Sequence, residues 1–148
     1  MTSAGYIRFV WKKYIDFAEK ILKAIPPDAE DETAERCGIS RAYYGAFNVA
    51  RNYLLKKNQT IDVEGKGSHE RVIRVFEDFG KSNRLFSCIA LELRNLKALR
   101  ISADYNDKFF SNSIIDRNKI LKHESELALL RARKIVSWID AIEGKDVE

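Results

Sequence analysis

The sequence predicts an all-α protein, an up-and-down bundle of four long helices plus a short one. Three observations carry this. Apolar residues recur at alternating steps of three and four over long stretches, the spacing of one helix face. The only two prolines, Pro26 and Pro27, are adjacent, so every other stretch is free to be helical. Strand-like alternation is scarce. With 148 residues, 45% of them hydrophobic and 32% charged, the chain suits one soluble globular domain spanning residues 1–148.

The first helix is expected from about Gly5 to Ile25, with Ile7, Tyr14, Ala18, Ile21 and Ile25 on one seam and Trp11 and Leu22 widening it. Pro26 and Pro27 end it. Asp28 to Glu35 holds five acids, as solvated loop or as the first turn of the next helix, where the dipole favours negative charge. The second helix then runs to about Lys57 and organises the rest. Ile39, Tyr43, Ala46, Ala50 and Tyr53 share its inner face. Gly45 costs about 1 kcal/mol in a helix relative to Ala, so its placement signals close approach of another backbone.

Gln59 to Gly67 is the most loop-like segment and is expected to be mobile. Ser68 reads as the N-cap of a short third helix from about His69 to Phe79, closed by Gly80. A fourth helix follows from about Ser82 to Ser102, with Ile89, Leu93, Leu96 and Leu99 inward and a turn at Asn106-Asp107. The last helix begins near Asn112 or near Glu124 and reaches Glu143 on a seam of Ala128, Ala132, Ile135, Ile139 and Ile142, leaving Gly144 to Glu148 to fray.

A net charge of +4 and a pI near 9.0 suit a polyanionic partner but equally a solvated basic surface. Cys37 and Cys88 lack metal-ligand spacing and read as reduced core thiols, the pattern of a cytoplasmic protein. No apolar run approaches the roughly 20 residues of a membrane span. There is no glycine-rich phosphate loop, no zinc spacing and no Ser/His/Asp arrangement that survives helix geometry, so neither a metal nor a cofactor is expected.

Ser40-Arg41-Ala42-Tyr43-Tyr44, with Ala46-Phe47 and Ala50-Arg51 before Leu54-Leu55, resembles the second helix of HEPN domains. These are small helical domains named for nucleotide binding in higher eukaryotes and prokaryotes. Arg100-Ile101-Ser102-Ala103-Asp104-Tyr105 is similar to the Arg-x-x-Ala-Asp-Tyr signature of one HEPN branch, and Gly67-Ser68-His69 before Val72, Ile73 and Phe76 is similar to the same branch. The resemblance covers roughly residues 5 to 143. It implies a homodimer with its cleft at a two-fold helical interface. It also implies a toxin-antitoxin or defence setting, RNA or a nucleotide as ligand, and a small nucleotidyltransferase as antitoxin partner.

Many HEPN proteins are metal-independent ribonucleases whose site pairs an Arg with a His, four to six residues lying between them. The imidazole moves the proton of a ribose 2′-hydroxyl while the guanidinium holds the phosphate. Arg117 and His123 have that spacing, with Asn118 beside the arginine, and are the candidate catalytic pair. Their position argues against them. In the ribonuclease branches the motif lies where this chain has Leu96 to Tyr105, which puts Ala103 in the place of the histidine. Arg100, Asp104 and Tyr105 remain there and suit phosphate binding or a closed network.

Arg41, Tyr44 and His69 complete the candidate ligand-binding set. His69 reads either as a polar residue near a helix start or as a cleft group facing Arg41 or Arg100. Tyr43 is expected in the core, Tyr44 off the buried seam, and Arg41 in an ion pair with Asp104. Two functions follow from different classes: an RNA-directed HEPN enzyme, or a non-catalytic nucleotide- or protein-binding HEPN module. A purely structural accessory subunit is a third.

Overall fold

The computed structural model describes residues 9–57, 65–107 and 114–147, the side chains of 114–119 and 145–147 excepted. Five helices pack together: α1 (Lys12–Lys23), α2 (Glu32–Lys56), α3 (Ser68–Phe79), α4 (Arg84–Tyr105) and α5 (Ile114–Val147), with no strand among the described residues. Helix α2 is the hub, packing on α1, α4 and α5, while α3 lies mainly against α4. Its seam is buried as the spacing predicts, with Ile39, Tyr43, Ala46 and Ala50 fully enclosed and Tyr53 nearly so.

Gly45 is where α1 crosses α2. A Cβ built there would stand 2.6 Å from Ile15 Cγ1 and 3.1 Å from the Trp11 carbonyl oxygen. Ile15, absent from the predicted seam, is the residue that fills this notch, and it is fully buried. Helix α1 also starts later than expected. Residues 9–11 are not helical, and the rings of Phe9, Trp11 and Tyr14 pack edge to face. Aromatic and β-branched residues lose rotamer freedom in a helix, which explains why a run of them delays its start. Gly5 to Arg8 lie outside the described residues, as do Gln59 to Glu64 of the expected loop.

Asp31, the N-cap of α2, accepts a hydrogen bond from the Ala34 amide at 3.0 Å, and the Asp31 amide donates in return to Glu35 Oε1 at 3.2 Å. This reciprocal cap places a carboxylate in the interior, since Glu35 is 1% exposed, and burial raises its pKa. Ser68 is not the cap of α3. It is the first helical residue, and Gly67 precedes it at φ 82°, a left-handed conformation that suits glycine. Asn83 caps α4 through its side chain, which accepts from the Leu85 amide.

Helix α4 runs three residues beyond the expected Ser102, so the whole Arg100 to Tyr105 motif is helical. Arg36 of α2 secures that end by donating to the carbonyl oxygens of Ala103 at 2.8 Å and Ser102 at 3.3 Å. The Ala103 carbonyl lies in the last turn, where carbonyls lack a partner within the helix, and the Ser102 carbonyl also accepts from the Asn106 amide at 3.0 Å. Helix α5 takes the longer alternative and continues through Val147, so residues 144–147 are helical. Arg133 ties it to Asp16 and Glu19 of α1. The two cysteines are free and half-buried rather than enclosed in the core. No helix among the described residues is long and apolar enough to cross a membrane.

Candidate functional site

The chemistry-bearing residues converge where α2, α3 and α4 meet. Tyr43 and Tyr44 leave α2 side by side with their rings 5.4 Å apart at 69°. The Arg100 guanidinium carbon lies 5.4 Å from the centroid of each, so one cation faces both rings. That arrangement supports a desolvated cation without neutralising it. Arg100 reaches Asp104, one turn on, only at 3.8 Å. Its Nε is buried and has no hydrogen-bond partner among the described residues.

His69 arrives from the start of α3. Its ring stacks on Phe47 at 4.0 Å and 3°, and its Nδ1 lies 2.6 Å from the Tyr43 hydroxyl. The hydroxyl must be the donor. Tyr43 is fully buried, burial raises its pKa, and no other acceptor is placed for its proton among the described residues. Nδ1 therefore accepts, and the proton of the neutral imidazole sits on Nε2. Burial pushes His69 down to about 4, helped by the positive charges of Arg100, Lys97 and Arg51. At neutral pH the ring is an uncharged donor.

Arg51 belongs to this group and the sequence reading missed its role. It lies seven residues after Tyr44 on α2, close to two full turns, so the two share a face. Its Nε, like that of Arg100, is buried without a hydrogen-bond partner among the described residues. Lys97, three residues before Arg100 on α4, was missed in the same way. The acids nearby are largely engaged. Glu70 is held by Arg94 at 2.9 Å, which lowers its pKa, and Asp104 accepts from the Ser40 hydroxyl at 3.4 Å. Among the described residues, Arg51 and Arg100 each keep an unpartnered Nε near the neutral His69, N–H donors of the kind an anion site uses.

The other predicted residues separate from this cluster. Arg41 does not pair with Asp104; its guanidinium lies 5.4 Å from the Tyr14 ring centroid on the α1 side, while Asp104 turns to Arg100 and Ser40. The reason is helical phase. Arg41 lies about 60° around the helix from Tyr44, on the edge turned to α1, while Tyr44 lies on the edge turned to α3 and α4. Tyr105 is 75% exposed. His123 is exposed on α5, where its neighbour Lys122 donates to the Pro27 carbonyl, and the Arg117 side chain lies outside the described residues. Nothing described brings the Arg117 and His123 pair to the cluster.

Three clefts of about 280, 410 and 320 Å³ lie elsewhere on the molecule, and none is lined by Arg51, His69, Lys97 or Arg100. Among the described residues no group of three or more His, Cys, Asp or Glu side chains is arranged to hold a metal ion. Compared with known protein families, curated proteins and solved structures, the chain matches none.

Proposed function

We propose that the chain is a HEPN-like RNA-binding module, of the toxin-antitoxin or defence type that the sequence resemblance implies, and that it grips a backbone phosphate at Arg100 without cutting it. The observation that carries this reading is the Arg100 guanidinium held against two tyrosine rings with its Nε unpartnered, beside Arg51, Lys97 and a neutral His69. Every free polar group of that set is a donor, and phosphate oxygens are acceptors. Tyr44 is only partly enclosed and offers a ring edge or face to a base. A small nucleotidyltransferase remains the partner class that the resemblance supports, with the cytoplasm as the setting.

Binding rather than catalysis is favoured by the histidine. A base that takes a 2′-hydroxyl proton needs a lone pair, and in His69 the accepting nitrogen is already occupied by Tyr43. The exposed His123 has no arginine beside it among the described side chains.

The test is fluorescence polarisation with a labelled single-stranded RNA of mixed sequence. Arg100→Ala is expected to weaken binding at least about tenfold, the loss of one charge-assisted contact, and His123→Ala to leave it unchanged. Cleavage of the RNA is expected from neither variant nor the wild type. Equal affinity of wild type and Arg100→Ala rejects the site, and cleavage that disappears in His123→Ala restores the ribonuclease reading.

A further inference from the structure

A cleft of about 280 Å³ opens between the non-helical residues 9–11, the second half of α2 and the last turns of α5. Val49, Asn52, Tyr53 and Lys56 line it from α2, at steps of three, one and three that keep them on one face. Asp140 and Glu143, three residues apart, line it from α5. The remaining side is the strap of Phe9, Val10 and Trp11 that leads into Lys12. That strap is held in place by the bundle itself: Gly45 lets the Trp11 backbone lie close on α2, and the rings of Phe9 and Trp11 meet edge to face at 4.9 Å. Phe9 and Val10 are nonetheless 50% and 51% exposed. Two neighbouring large apolar side chains left open in the lining of a cleft are a surface for an apolar ligand.

The charges of the cleft come in two opposite pairs. Lys12 Nζ lies 3.2 Å from Asp140, and Lys56 Nζ lies 3.2 Å from Glu143. The four side chains are 35% to 66% exposed. Water competes for an exposed pair, so a ligand that bears one positive and one negative group can exchange into them at little cost. The two signs also have sides. Helix α1 starts at Lys12 with no side-chain cap on Trp11 and no acid in its first turn, so the positive end of its dipole adds to the charge of Lys12. Both acids stand on α5. An anionic group therefore belongs at the start of α1 and a cationic one against α5.

The volume limits the body between these groups. At about 280 Å³ the cleft lies just below the range of about 300–1,000 Å³ for drug-sized ligands, which suits a smaller molecule. An amino acid joins an apolar body to adjacent opposite charges within that size. We propose that the cleft binds a free α-amino acid with a large apolar side chain. The carboxylate sits at Lys12 and the start of α1, the ammonium at Asp140 and Glu143, and the side chain against Phe9, Trp11 and Val49. Asn52 stands in the same lining with an amide that can donate to the carboxylate and accept from the ammonium. The site shares no residue with the Arg100 cluster and does not rest on the RNA reading.

Trp11 reports on the cleft directly. The chain has two tryptophans, so Trp138→Phe leaves Trp11 as the single indole. Its fluorescence is titrated with L-phenylalanine, L-leucine and L-methionine, none of which carries an indole or a phenol; calorimetry on the unaltered chain checks the constants. At least one of the three is expected to change the emission saturably, with a dissociation constant below about 1 mM. The matching amine without the carboxylate, and the matching acid without the amine, are each expected to bind at least about tenfold more weakly. Lys12→Gln and Asp140→Asn, both at exposed positions and checked for folding by circular dichroism, weaken binding by a similar factor, whereas Arg131→Gln, outside the cleft, does not. No saturable response to any of the three amino acids, in either measurement, overturns the proposal. Binding that survives Lys12→Gln and Asp140→Asn alike overturns this site, and an amine or acid that binds as tightly as the amino acid overturns the zwitterion as its ligand.

Discussion

The Tyr43 hydroxyl donates to His69 Nδ1 across 2.6 Å, and this single bond fixes which imidazole nitrogen carries the proton. It also links the central helix to the start of α3, where Phe47 stacks on the same ring. Tyr43→Phe removes the donor and leaves Nδ1 without its partner. The expected cost is about 1–3 kcal/mol of stability, the range for an abandoned buried polar group. Nitrogen NMR of His69 should show the Nε2–H form in the wild type and a mixture in the variant. An unchanged tautomer and melting temperature would contradict the bond.

Stability should fall on acidification through a defined window. In the unfolded chain His69 binds a proton below about 6.5, whereas in the fold it does so only near 4. Between these values the unfolded state holds more protons, so stability drops as pH falls from about 6.5 towards 4. The causes are burial first, then Arg100, Lys97 and Arg51. His69→Gln has no such proton to gain, and its melting temperature should decline less over that range than the wild type's. Parallel curves for the two proteins would show that His69 does not carry the effect.

The α1–α2 crossing should tolerate no side chain at position 45. Even Gly45→Ala sets a methyl 2.6 Å from Ile15 Cγ1, and backbone at Trp11 blocks the other direction. Gly45→Leu is expected to lose about 1–3 kcal/mol in chemical denaturation, by overpacking. Gly45→Ala should cost less in an Ile15→Ala background than in the wild type, because the clashing Cγ1 atom is then absent. Additive losses in the double variant would place the strain elsewhere.

The helices were legible in the sequence wherever one face is buried continuously. The seams of α2, α4 and α5 follow the spacing because burial of each repeats at the helical period. Local rules failed where tertiary contacts decide. Nothing in the Ser68 neighbourhood says that Gly67 takes the turn, and nothing near Ser102 says that Arg36, from another helix, secures the end of α4. The site was half visible. Tyr44, His69, Arg100 and Asp104 were named from motifs, but Arg41 was assigned the wrong neighbour because sequence adjacency hides helical phase. Arg51 carried a usable signal, its seven-residue offset from Tyr44, and Lys97 sits one turn before Arg100. Their convergence on His69 depends on how three helices pack, which no single stretch encodes.

That convergence gives the last prediction. If Arg51, Lys97 and Arg100 act on one strand of RNA, each releases condensed counterions, and the logarithm of the affinity should fall linearly with the logarithm of salt. Removing one phosphate contact should lower the magnitude of that slope by about 0.7 for a single strand. Arg51→Gln and Lys97→Gln are each expected to do this while weakening binding across sequences alike, since a phosphate contact reads no base. Arg131→Gln is the control of equal charge: its guanidinium lies 3.4 Å from Glu92 on the α4–α5 side, away from the tyrosines. All four proteins are compared by polarisation titrations between about 50 and 200 mM salt. Should Arg131→Gln change the slope as much as Arg51→Gln, the RNA would be following the net positive charge of the whole surface, and the cluster around His69 would have no privileged place in binding.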